Sequence, residues 1–465
     1  AQRPKPELVA SPWRAAEIRP NVPELLATLS PADTVPPLPQ TGWEETTVLA
    51  AAMHADPPAF IADLITVNLS LAGRCASQAE LREHLPATLL DRLRQALLDR
   101  SRAPAADLRE RIACGLVLGD LGDPRFERRQ GADAAYLLPP MVDIPGGSYP
   151  IGDDEPYEIY GNITEAHRPR HQVTLKPFAI GRFAVTNAEW ACFMAAGGYD
   201  DERWWPDEAA QAWQRGETTA AGMHASIRFF RDMYRAQPEL LHAARAAGGY
   251  DDEILERWVL RLAMSETELD AHLNELYPGG KIRAPRMWLD ERYRQAAQPV
   301  VGITWFEARA YCLWLSHQSG RAFRLPSEVE WEAAARGADG RRYAWGDAME
   351  MQRCNIITTH VMRPSPIGVF PEGDTPEGLC DMTGNSADLT HSGWGSNPEA
   401  AEFGYPYRVD DGREGNNGDA ISLRVSRGGG WHDSDVSARS ACRTVVHVTE
   451  TGDNIGLRLA VNVIA

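Results

Sequence analysis

Cysteine is the residue type in this chain that could carry the widest chemistry, because thiolates form disulfides and bind soft metals. Seven cysteines are scattered along the 465 residues, at Cys75, Cys114, Cys192, Cys312, Cys354, Cys380 and Cys442. Their number is odd and no C-x-x-C pair occurs, so the spacing favours neither a disulfide framework nor a zinc knuckle. We expect reduced thiols.

Histidine offers one close pair, His167 and His171, which are four residues apart. Pro169 lies between them and predicts a loop, so a solvated turn is the better interpretation than a metal site on a helix. The chain also lacks a G-x-S-x-G nucleophile elbow, a P-loop and a G-x-G-x-x-G run after a strand. No short motif of this kind identifies a catalytic centre.

The composition indicates an acidic globular protein. The formal net charge is -18, and lysine occurs only at Lys5, Lys176 and Lys281. Proteins that bind nucleic acid need a basic face that displaces counterions, so we expect no nucleic-acid partner. No apolar run reaches the roughly 20 residues of a membrane helix, and no apolar signal core begins the chain. We expect a cytoplasmic protein without a membrane span.

Proline content and hydrophobic periodicity divide the chain into parts. Residues 1–42 are rich in proline and predict an extended linker. Residues 43–130 carry apolar residues at three-and-four spacing and predict a small helical domain, in which residues 108–125 resemble the second helix of a HEAT-type repeat. Residues 138–465 form the second domain, and about 207–297 within it predict a helical insertion. Ala1 stands in place of an initiator methionine, which suggests a processed or truncated chain, and a larger parent protein could carry further domains.

Ordered motifs run through the second domain. The C-terminal ones are Arg427-Gly-Gly-Gly-Trp431, Arg439-Ser-Ala-Cys-Arg443 and Asn454-Ile-Gly-Leu-Arg458, and earlier ones are Met141-Val-Asp-Ile-Pro-Gly-Gly-Ser148, Arg324-Leu-Pro-Ser-Glu-Val-Glu-Trp331 and Gly378-Leu-Cys-Asp-Met-Thr-Gly-Asn385. In this order they resemble the sulfatase-modifying-factor family, which contains the formylglycine-generating enzymes. The resemblance implies an α+β fold of the C-type-lectin-like (FGE-sulfatase) class with irregular loops, here preceded by the small helical domain.

The resemblance also identifies the positions of the family's copper site. In the generating enzymes two cysteines after the Gly-Gly run hold Cu(I), a soft ion that prefers thiolates. The matching positions here are Asp433 and Ala438, and Cys442 is out of register. We therefore expect no copper and predict that the chain is not an enzyme. An iron-dependent sulfoxide-synthase branch takes its metal from a His-x-x-x-His-x-Glu site, whereas the helical part here offers His54 and His84, far apart.

A calcium site is the second metal site that the resemblance implies. The family's Gly-Asn stretch surrounds Ca²⁺ with two side chains and two backbone carbonyls, as a hard cation prefers. The matching residues are Asp381, Gly384, Ser386 and Asp388. The alternative is a polar Gly-Asn turn in which Asp381 caps the local backbone.

The segments between the C-terminal motifs differ from those of the catalytic relatives. They resemble the variable proteins of diversity-generating retroelements, in which adenine-directed substitutions lie between fixed codons. A mutated Asn codon yields the residues found here at every position except Glu450. The predicted variable surface comprises His432, Asp433, Ser434, Asp435, Val436, Ser437, Cys442, Thr444, Val445, Val446, His447, Val448, Thr449, Glu450, Thr451, Gly452 and Asp453. The alternative for residues 445–448 is an ordinary buried strand.

These observations predict a non-catalytic recognition protein that displays a hypervariable C-terminal surface on a C-type-lectin-like scaffold. Its partner would be a protein or a cell-surface ligand whose identity lies in the exchangeable side chains. Two alternatives remain open. One is an oxidoreductase of the formylglycine-generating or a related oxidative type, and the other is a sensor module of a larger signalling or defence protein.

Overall fold

The structure, a computed structural model, describes residues 6–159, 162–246, 250–415 and 422–463. The first five residues of the predicted proline-rich linker therefore lie outside the described residues. The rest of that segment contains a 3₁₀ turn (Pro6–Val9) and a short helix, α1 (Val22–Leu26), which a capping box of Asn21 and Glu24 begins. The linker is thus partly structured.

The helical part that follows packs its apolar stripes into one core. Its helices are α2 (Glu44–Ala52), α3 (Pro57–Val67), α4 (Leu69–Ala76), α5 (Ala79–Arg82), α6 (Ala87–Ser101) and α7 (Leu108–Leu121). Leu64, Leu93, Leu97 and Leu118 are among the side chains buried in this core. The three-and-four spacing of apolar residues in the sequence produces this arrangement.

The helical part is attached to the second domain by buried polar and close backbone contacts. The Arg102 guanidinium, directly after α6, lies 2.5 Å from the Asp374 carboxylate, and Arg111 on α7 donates to the carbonyl of Val369 at 2.7 Å. Helix α7 also approaches Ala297 so closely at Gly119 that a Cβ there would lie 2.6 Å from the Ala297 nitrogen. These contacts fix the helical part against the loops of the second domain.

Short antiparallel strands and one helix follow α7, and the first strand, at residues 127–130, falls within the stretch predicted as helical (43–130) and ahead of the predicted start of the second domain at residue 138. These elements are β1 (Glu127–Gln130), β2 (Ala135–Leu138), β3 (Met141–Ile144), β4 (Gly147–Ile151), β5 (Tyr157–Ile159), β6 (Asn162–Thr164), β7 (His171–Leu175), β8 (Phe178–Gly181) and α8 (Asn187–Ala195). Three hairpin-like pairs, β1–β2, β4–β7 and β5–β6, form separate two-stranded sheets.

Helices fill most of the predicted insertion. They are α9 (Glu208–Arg215), α10 (Ala221–Ala236), α11 (Pro238–Ala246), α12 (Asp252–Ala263) and α13 (Glu266–Leu276). Helices α10 to α13 share a small core of their own that includes Ile227, Tyr234, Trp258 and Leu273. The predicted capping box that begins α13, Ser265 with Glu268, is confirmed.

After the insertion the chain completes two four-stranded sheets. The remaining elements are α14 (Trp305–Ser319), β9 (Phe323–Arg324), α15 (Glu328–Arg336), β10 (Ala387–Gly395), β11 (Leu423–Arg427), β12 (Thr444–His447), β13 (Ile455–Leu457) and β14 (Ala460–Asn462). One sheet has the order β12-β11-β10-β13 and the other the order β3-β8-β14-β9. The α+β fold with a preceding helical domain is therefore confirmed.

An aromatic core joins the two sheets to α8 and α14. Trp190, Tyr311 and Trp314 are buried in it, and the Trp190 and Tyr311 rings stack at 5.1 Å. Within the described residues, every helix is too short or too polar to cross a bilayer. The C-terminal motifs lie at the ends of β11 and β12 and on β13, with irregular segments between them.

Candidate ligand-binding site

A buried glutamate at the start of α15 fixes the frame of the site. Ser327 and Glu330 cap the helix, which places the Glu328 carboxylate inside the domain. Three guanidinium groups meet it, those of Arg413 at 3.0 Å, Arg427 at 2.9 Å and Arg443 at 2.7 Å. Burial would raise the pKa of Glu328, but these three arginines outweigh it and lower the pKa to about 2.

Two of these arginines bracket the first of the two loops between the C-terminal motifs. Arg427 ends β11 and Arg443 immediately precedes β12, so one carboxylate holds both ends of residues 428–442. Arg427 also donates to the carbonyl oxygens of Ser440 and Cys442. Motif residues therefore hold both ends of this loop and part of its backbone.

Asp433 takes part in this backbone arrangement as well as in the site. Its Oδ2 accepts hydrogen bonds from Gly430 N at 2.7 Å and from the Asn454 side-chain amide at 2.9 Å. These contacts connect the first loop to the third C-terminal motif. Asp433 thus acts as a structural residue through Oδ2.

A cavity of about 2030 Å³ lies against the two loops. From the predicted variable surface it is lined by His432, Asp433, Ser437, Thr444, Val445 and Asp453. Other walls come from the aromatic residues Phe229, Phe230 and Tyr234 of α10, from α4 and α7, and from the proline-rich segment at residues 34–40. All three parts of the chain therefore contribute to one cavity.

A charged cluster lies at the floor of this cavity. His432 Nε2 is 3.2 Å from Asp453 Oδ1, and Tyr293 donates its hydroxyl to Asp453 Oδ2 at 3.3 Å. Burial disfavours the charged imidazole, but the hydrogen bond to Asp453 and the charges of Asp433 and Asp453 outweigh it and raise the pKa of His432 to about 9. His432 is therefore an imidazolium at neutral pH, in contact with a carboxylate.

The structure divides the predicted variable surface into exposed and interior positions. The partly or fully exposed residues are His432, Asp433, Ser434, Asp435, Val436, Thr444, Val445, His447, Glu450, Thr451, Gly452 and Asp453. The buried ones are Ser437, Cys442, Val446, Val448 and Thr449. The expectation that the whole set forms a contact surface is therefore corrected for Cys442, Val446, Val448 and Thr449, whereas Ser437 is buried but still lines the cavity.

Packing explains the buried positions. Val446 and Val448 are 4% exposed and join the main aromatic core, so residues 445–448 include the buried strand that was the alternative interpretation. Cys442 packs with Tyr157 and Ala441, and burial raises the pKa of its thiol to about 12. A thiol of this kind stays protonated at neutral pH.

The positions of the family's thiolate pair have no thiols in this chain. Asp433 bonds Gly430 and Asn454, and Ala438 is buried beside Cys354 and Ile356. All seven cysteines are buried free thiols. Paired thiolates for a soft metal are therefore absent from these two positions.

Two residues of the implied calcium site, Asp388 and Asp381, contact Arg458. Asp388 Oδ2 accepts hydrogen bonds from Arg458 Nε at 2.8 Å and from the Trp331 indole at 2.9 Å, whereas the buried Asp388 Oδ1 lacks a partner among the described residues. Asp381 Oδ2 accepts from Gly368 N at 2.7 Å, and burial raises the pKa of Asp381 to about 6.

The two glycine-turn residues of that site have backbone partners of their own. Gly384 N donates to the Gly428 carbonyl, and Ser386 N donates to the Gly384 carbonyl. In the described parts of the chain, no group of three or more His, Cys, Asp or Glu side chains is placed to hold a metal ion. Asp388 offers one oxygen to a cation, and the calcium site stays a prediction.

Sequence reasoning missed two groups of residues in the site. One is Tyr293 with the aromatic face of α10, which lies far along the chain from the C-terminal loops and carries no motif. The other is the role of Glu328, although it lies within the motif that ends at Trp331. The surplus of arginines in the C-terminal motifs was the available signal, because buried guanidinium groups require buried carboxylates.

The profile of the Sulfatase-modifying factor enzyme 1-like domain matches residues 128–463. The hercynine oxygenase of Mycolicibacterium smegmatis is 28% identical over 370 residues, which cover 78% of this chain and 68% of that protein. The chain spans 54% and 56% of the length of two further hercynine oxygenases.

Two other proteins show the range of similarity. The inactive C-alpha-formylglycine-generating enzyme 2 of Bos taurus is 28% identical over 344 residues, 69% of this chain and 87% of that one. Among solved structures, Treponema denticola variable protein 1 superposes with a TM-score of 0.40 at 16% identity, covering 73% of this chain and all of that one.

These relatives overturn one expectation. The prediction from Asp433 and Ala438 that the chain is not an enzyme is wrong, because similar proteins are named as oxygenases. The missing thiolate pair concerns two positions and does not define the whole domain. By the extent of the profile match, the chain belongs to the family of Sulfatase-modifying factor enzyme 1-like (FGE-sulfatase) domains.

Proposed function

We propose that this FGE-sulfatase-family chain is a ligand-recognition protein whose C-terminal loops form an exchangeable contact surface, in the manner of the variable proteins of diversity-generating retroelements. The supporting observation is that motif residues and the residues between them occupy different environments. Arg427, Arg443 and Glu328 form a buried ion cluster that holds the backbone, whereas His432, Thr444 and Asp453 are partly or fully exposed at the cavity.

This division permits substitution without loss of the fold. Surface substitutions away from caps, cores and ion pairs change the free energy of unfolding by about 0.5 kcal/mol or less. Ser434, Asp435 and Val436 are partly exposed and lie between motif residues that hold the backbone. The exposed subset could therefore change its chemistry while the scaffold stays constant.

The cavity also has the composition of a recognition site. Interface centres are enriched in aromatic residues and carry few charged groups, which fix the orientation of the ligand. Here Phe229, Phe230 and Tyr234 supply an aromatic wall, and His432 with Asp453 supplies a polar floor. The ligand would contact both.

The coding DNA tests this proposal. A nearby noncoding near-copy of the final ~100 bases is expected, which differs mainly at adenines, together with a reverse-transcriptase gene. The differences should fall on the codons of the exposed subset other than Glu450, and spare those of Arg427, Arg443 and Glu450. A genomic locus without such a copy would refute the retroelement mechanism.

Oxidative catalysis is the second candidate function, and the names of the oxygenase relatives favour it. In this candidate the metal would not be copper on a thiolate pair, because Asp433 and Ala438 occupy those positions. Metal analysis of the purified chain, combined with an assay for oxidation of a cysteine-containing peptide, separates the two candidates. We expect no stoichiometric copper, and turnover would favour the second candidate.

A further inference from the structure

Strand β12 is the outer strand of its sheet. The order β12-β11-β10-β13 leaves one side of β12 without a neighbouring strand among the described residues. An outer strand presents backbone N–H and C=O groups that can pair with another chain. Thr444 and Val445 of this strand also line the cavity.

The register shows which backbone groups point outward. Val448 N donates to the Ser422 carbonyl at 2.9 Å, which makes this a hydrogen-bonded pair in the ladder with β11. Bonded and non-bonded pairs alternate in an antiparallel ladder, so Val445, opposite Val425, belongs to a non-bonded pair. The N–H and C=O of Val445 therefore point away from β11.

The next outward-pointing residue on this edge is already satisfied. His447 N donates to the Glu450 carboxylate at 3.3 Å, and the His447 carbonyl accepts from Glu450 N at 2.9 Å. In residues 6–159, 162–246, 250–415 and 422–463, by contrast, no group bonds the outward N–H or C=O of Val445. The turn after β12 thus bonds the outward backbone groups of His447 and leaves those of Val445 without a partner among the described residues.

Both faces of β12 are packed, which leaves the edge as its accessible part. Val445 packs against the cluster of Trp394, Leu423 and Val425 on one face. Val446 is buried in the main core on the other. The strand therefore offers the cavity its backbone more than its side chains.

We propose that the partner is a polypeptide, an extended segment of which adds to the sheet beside β12 by pairing with the N–H and C=O of Val445. The proposal rests on the ligand-recognition function and names its ligand class. The cavity of about 2030 Å³ is larger than the ~300–1,000 Å³ of small-molecule sites, and it continues from Val445 to His432 and Asp453. Side chains of the added strand would reach these residues.

This mode of binding suits an exchangeable surface. Main-chain hydrogen bonds supply affinity that does not depend on side-chain identity, and side-chain pockets supply specificity. Substitution at His432 or Asp453 would then change the preferred sequence of the partner without removing the pairing at Val445. A constant docking geometry would persist through diversification.

The test uses the described chain and a phage-displayed library of random peptides as the probe. Peptides selected on the wild-type protein are measured against Val445→Pro, which removes the outward N–H at an edge position where proline is tolerated, and against Val445→Ala, which keeps it. Loss of this backbone hydrogen bond should weaken binding to the proline variant about tenfold, and the alanine variant should stay within about threefold.

A second measurement covers the case in which Val445→Pro fails to fold. Each backbone amide of a selected peptide is N-methylated in turn and tested on the wild-type protein. We expect one or two methylated positions to lose about tenfold in affinity, because these amides face the edge of β12.

Three results would overturn the proposal. They are equal binding to both Val445 variants with no sensitive methylated amide, failure of any peptide to enrich, and a wild-type dimer that Val445→Pro converts to a monomer. The last would assign the edge to a second copy of the chain. None of these results affects the DNA-based test of the proposed function. A failure of the strand-pairing proposal can therefore be distinguished from a failure of the proposed function.

Discussion

The Glu450 carboxylate accepts a hydrogen bond from the backbone N–H of His447 at 3.3 Å, and the Glu450 N–H donates to the His447 carbonyl at 2.9 Å. This reciprocal pair closes the turn that follows β12. Glu450 is also the residue of the predicted surface that an Asn codon mutated at its adenines does not yield. The structure gives a physical reason, because a shorter or apolar side chain could not accept from His447. Glu450 is therefore a scaffold residue.

The same turn supports the helical insertion, and Gly222→Ala should weaken that contact. A Cβ at Gly222 on α10 would lie 2.5 Å from the Glu450 nitrogen and 2.6 Å from the Thr449 carbonyl carbon. Because backbone atoms on both sides must shift, we expect the free energy of unfolding to fall by about 1–3 kcal/mol. Urea unfolding measures this change. Gly404→Ala is the matched control, since nothing lies within 4 Å of a Cβ there. Equal stability of the two variants would contradict the contact.

The buried cluster of Glu328 with Arg413, Arg427 and Arg443 predicts a much larger loss of stability. Glu328→Gln removes the carboxylate that three buried guanidinium groups share, and breaking a buried pair in this way costs about 3–5 kcal/mol. Thermal unfolding should show this loss together with disorder in the loop between Arg427 and Arg443. The control is Asp410→Asn, whose partner Arg408 is 3.9 Å away with both side chains exposed, and it should change stability by about 0.5 kcal/mol or less.

The same cluster around Glu328 also predicts how the stability of the wild-type protein changes as the pH falls. The pKa of Glu328 is lowered from 4.5 to about 2, so its stabilisation is fully present above pH 4.5 and disappears as the pH falls through about 2. Glu328→Gln should lack this component, and the stability difference between wild type and variant should shrink in that interval. A constant difference from neutral pH down to pH ~2 would contradict the assigned charge state.

Local patterns predicted the parts of the fold that local physics determines. The spacing of Leu93 and Leu97 predicted a helix because both side chains face one core, and Ser265 with Glu268 predicted a helix start that is observed. The C-terminal motifs predicted the fold class because their glycines and arginines are tied to one backbone geometry. Gly428, for example, has a φ of +91° and lies against the Trp331 ring.

The parts that were missed depend on contacts between distant segments. The stretch from Val445 to Val448 is apolar, but only the packing of Val446 and Val448 in the aromatic core shows which of these residues are unavailable to a ligand. The contact of Gly222 with Glu450 joins residues more than two hundred positions apart and leaves no periodic signal. The sequence did not predict that the aromatic residues of α10 line the cavity, because this too depends on contacts between distant segments.

The imidazolium of His432 predicts a stability component at alkaline pH. Its pKa is raised from 6.5 to about 9 in the folded protein, so the stabilisation is fully present below pH 6.5 and is lost as the pH rises through about 9. Because 35% of the side chain is exposed, water screens the pair with Asp453 and the effect should be small. The free energies of unfolding of the wild type and of His432→Asn, measured with urea, should converge as the pH rises.

Calcium is a prediction that chelation can decide. If the ion binds beside Asp381 and Asp388, it stabilises the folded state by about 2.7 kcal/mol at a hundredfold excess over its Kd. The melting temperature should then rise with Ca²⁺ and fall with a chelator. Asp381→Asn keeps an acceptor for the Gly368 N–H but removes a negative charge, so it should abolish the calcium-dependent shift. If neither Ca²⁺ nor the chelator changed the melting temperature of the wild type, the calcium site would be refuted. Arg458 would then be the sole cationic partner of Asp388 among the described residues.

Aspartate substitutions along β12 test whether the surface is divided as the structure shows. Val446 is 4% exposed in the aromatic core, so Val446→Asp buries a charge without a partner and should cost more than about 4 kcal/mol. Thr444, two residues earlier, is exposed at the cavity, and Thr444→Asp should change the free energy of unfolding by about 0.5 kcal/mol or less. Urea unfolding of the matched pair measures both. Similar losses at the two positions would mean that Thr444 is as constrained as the core, and an exchangeable surface could not include it.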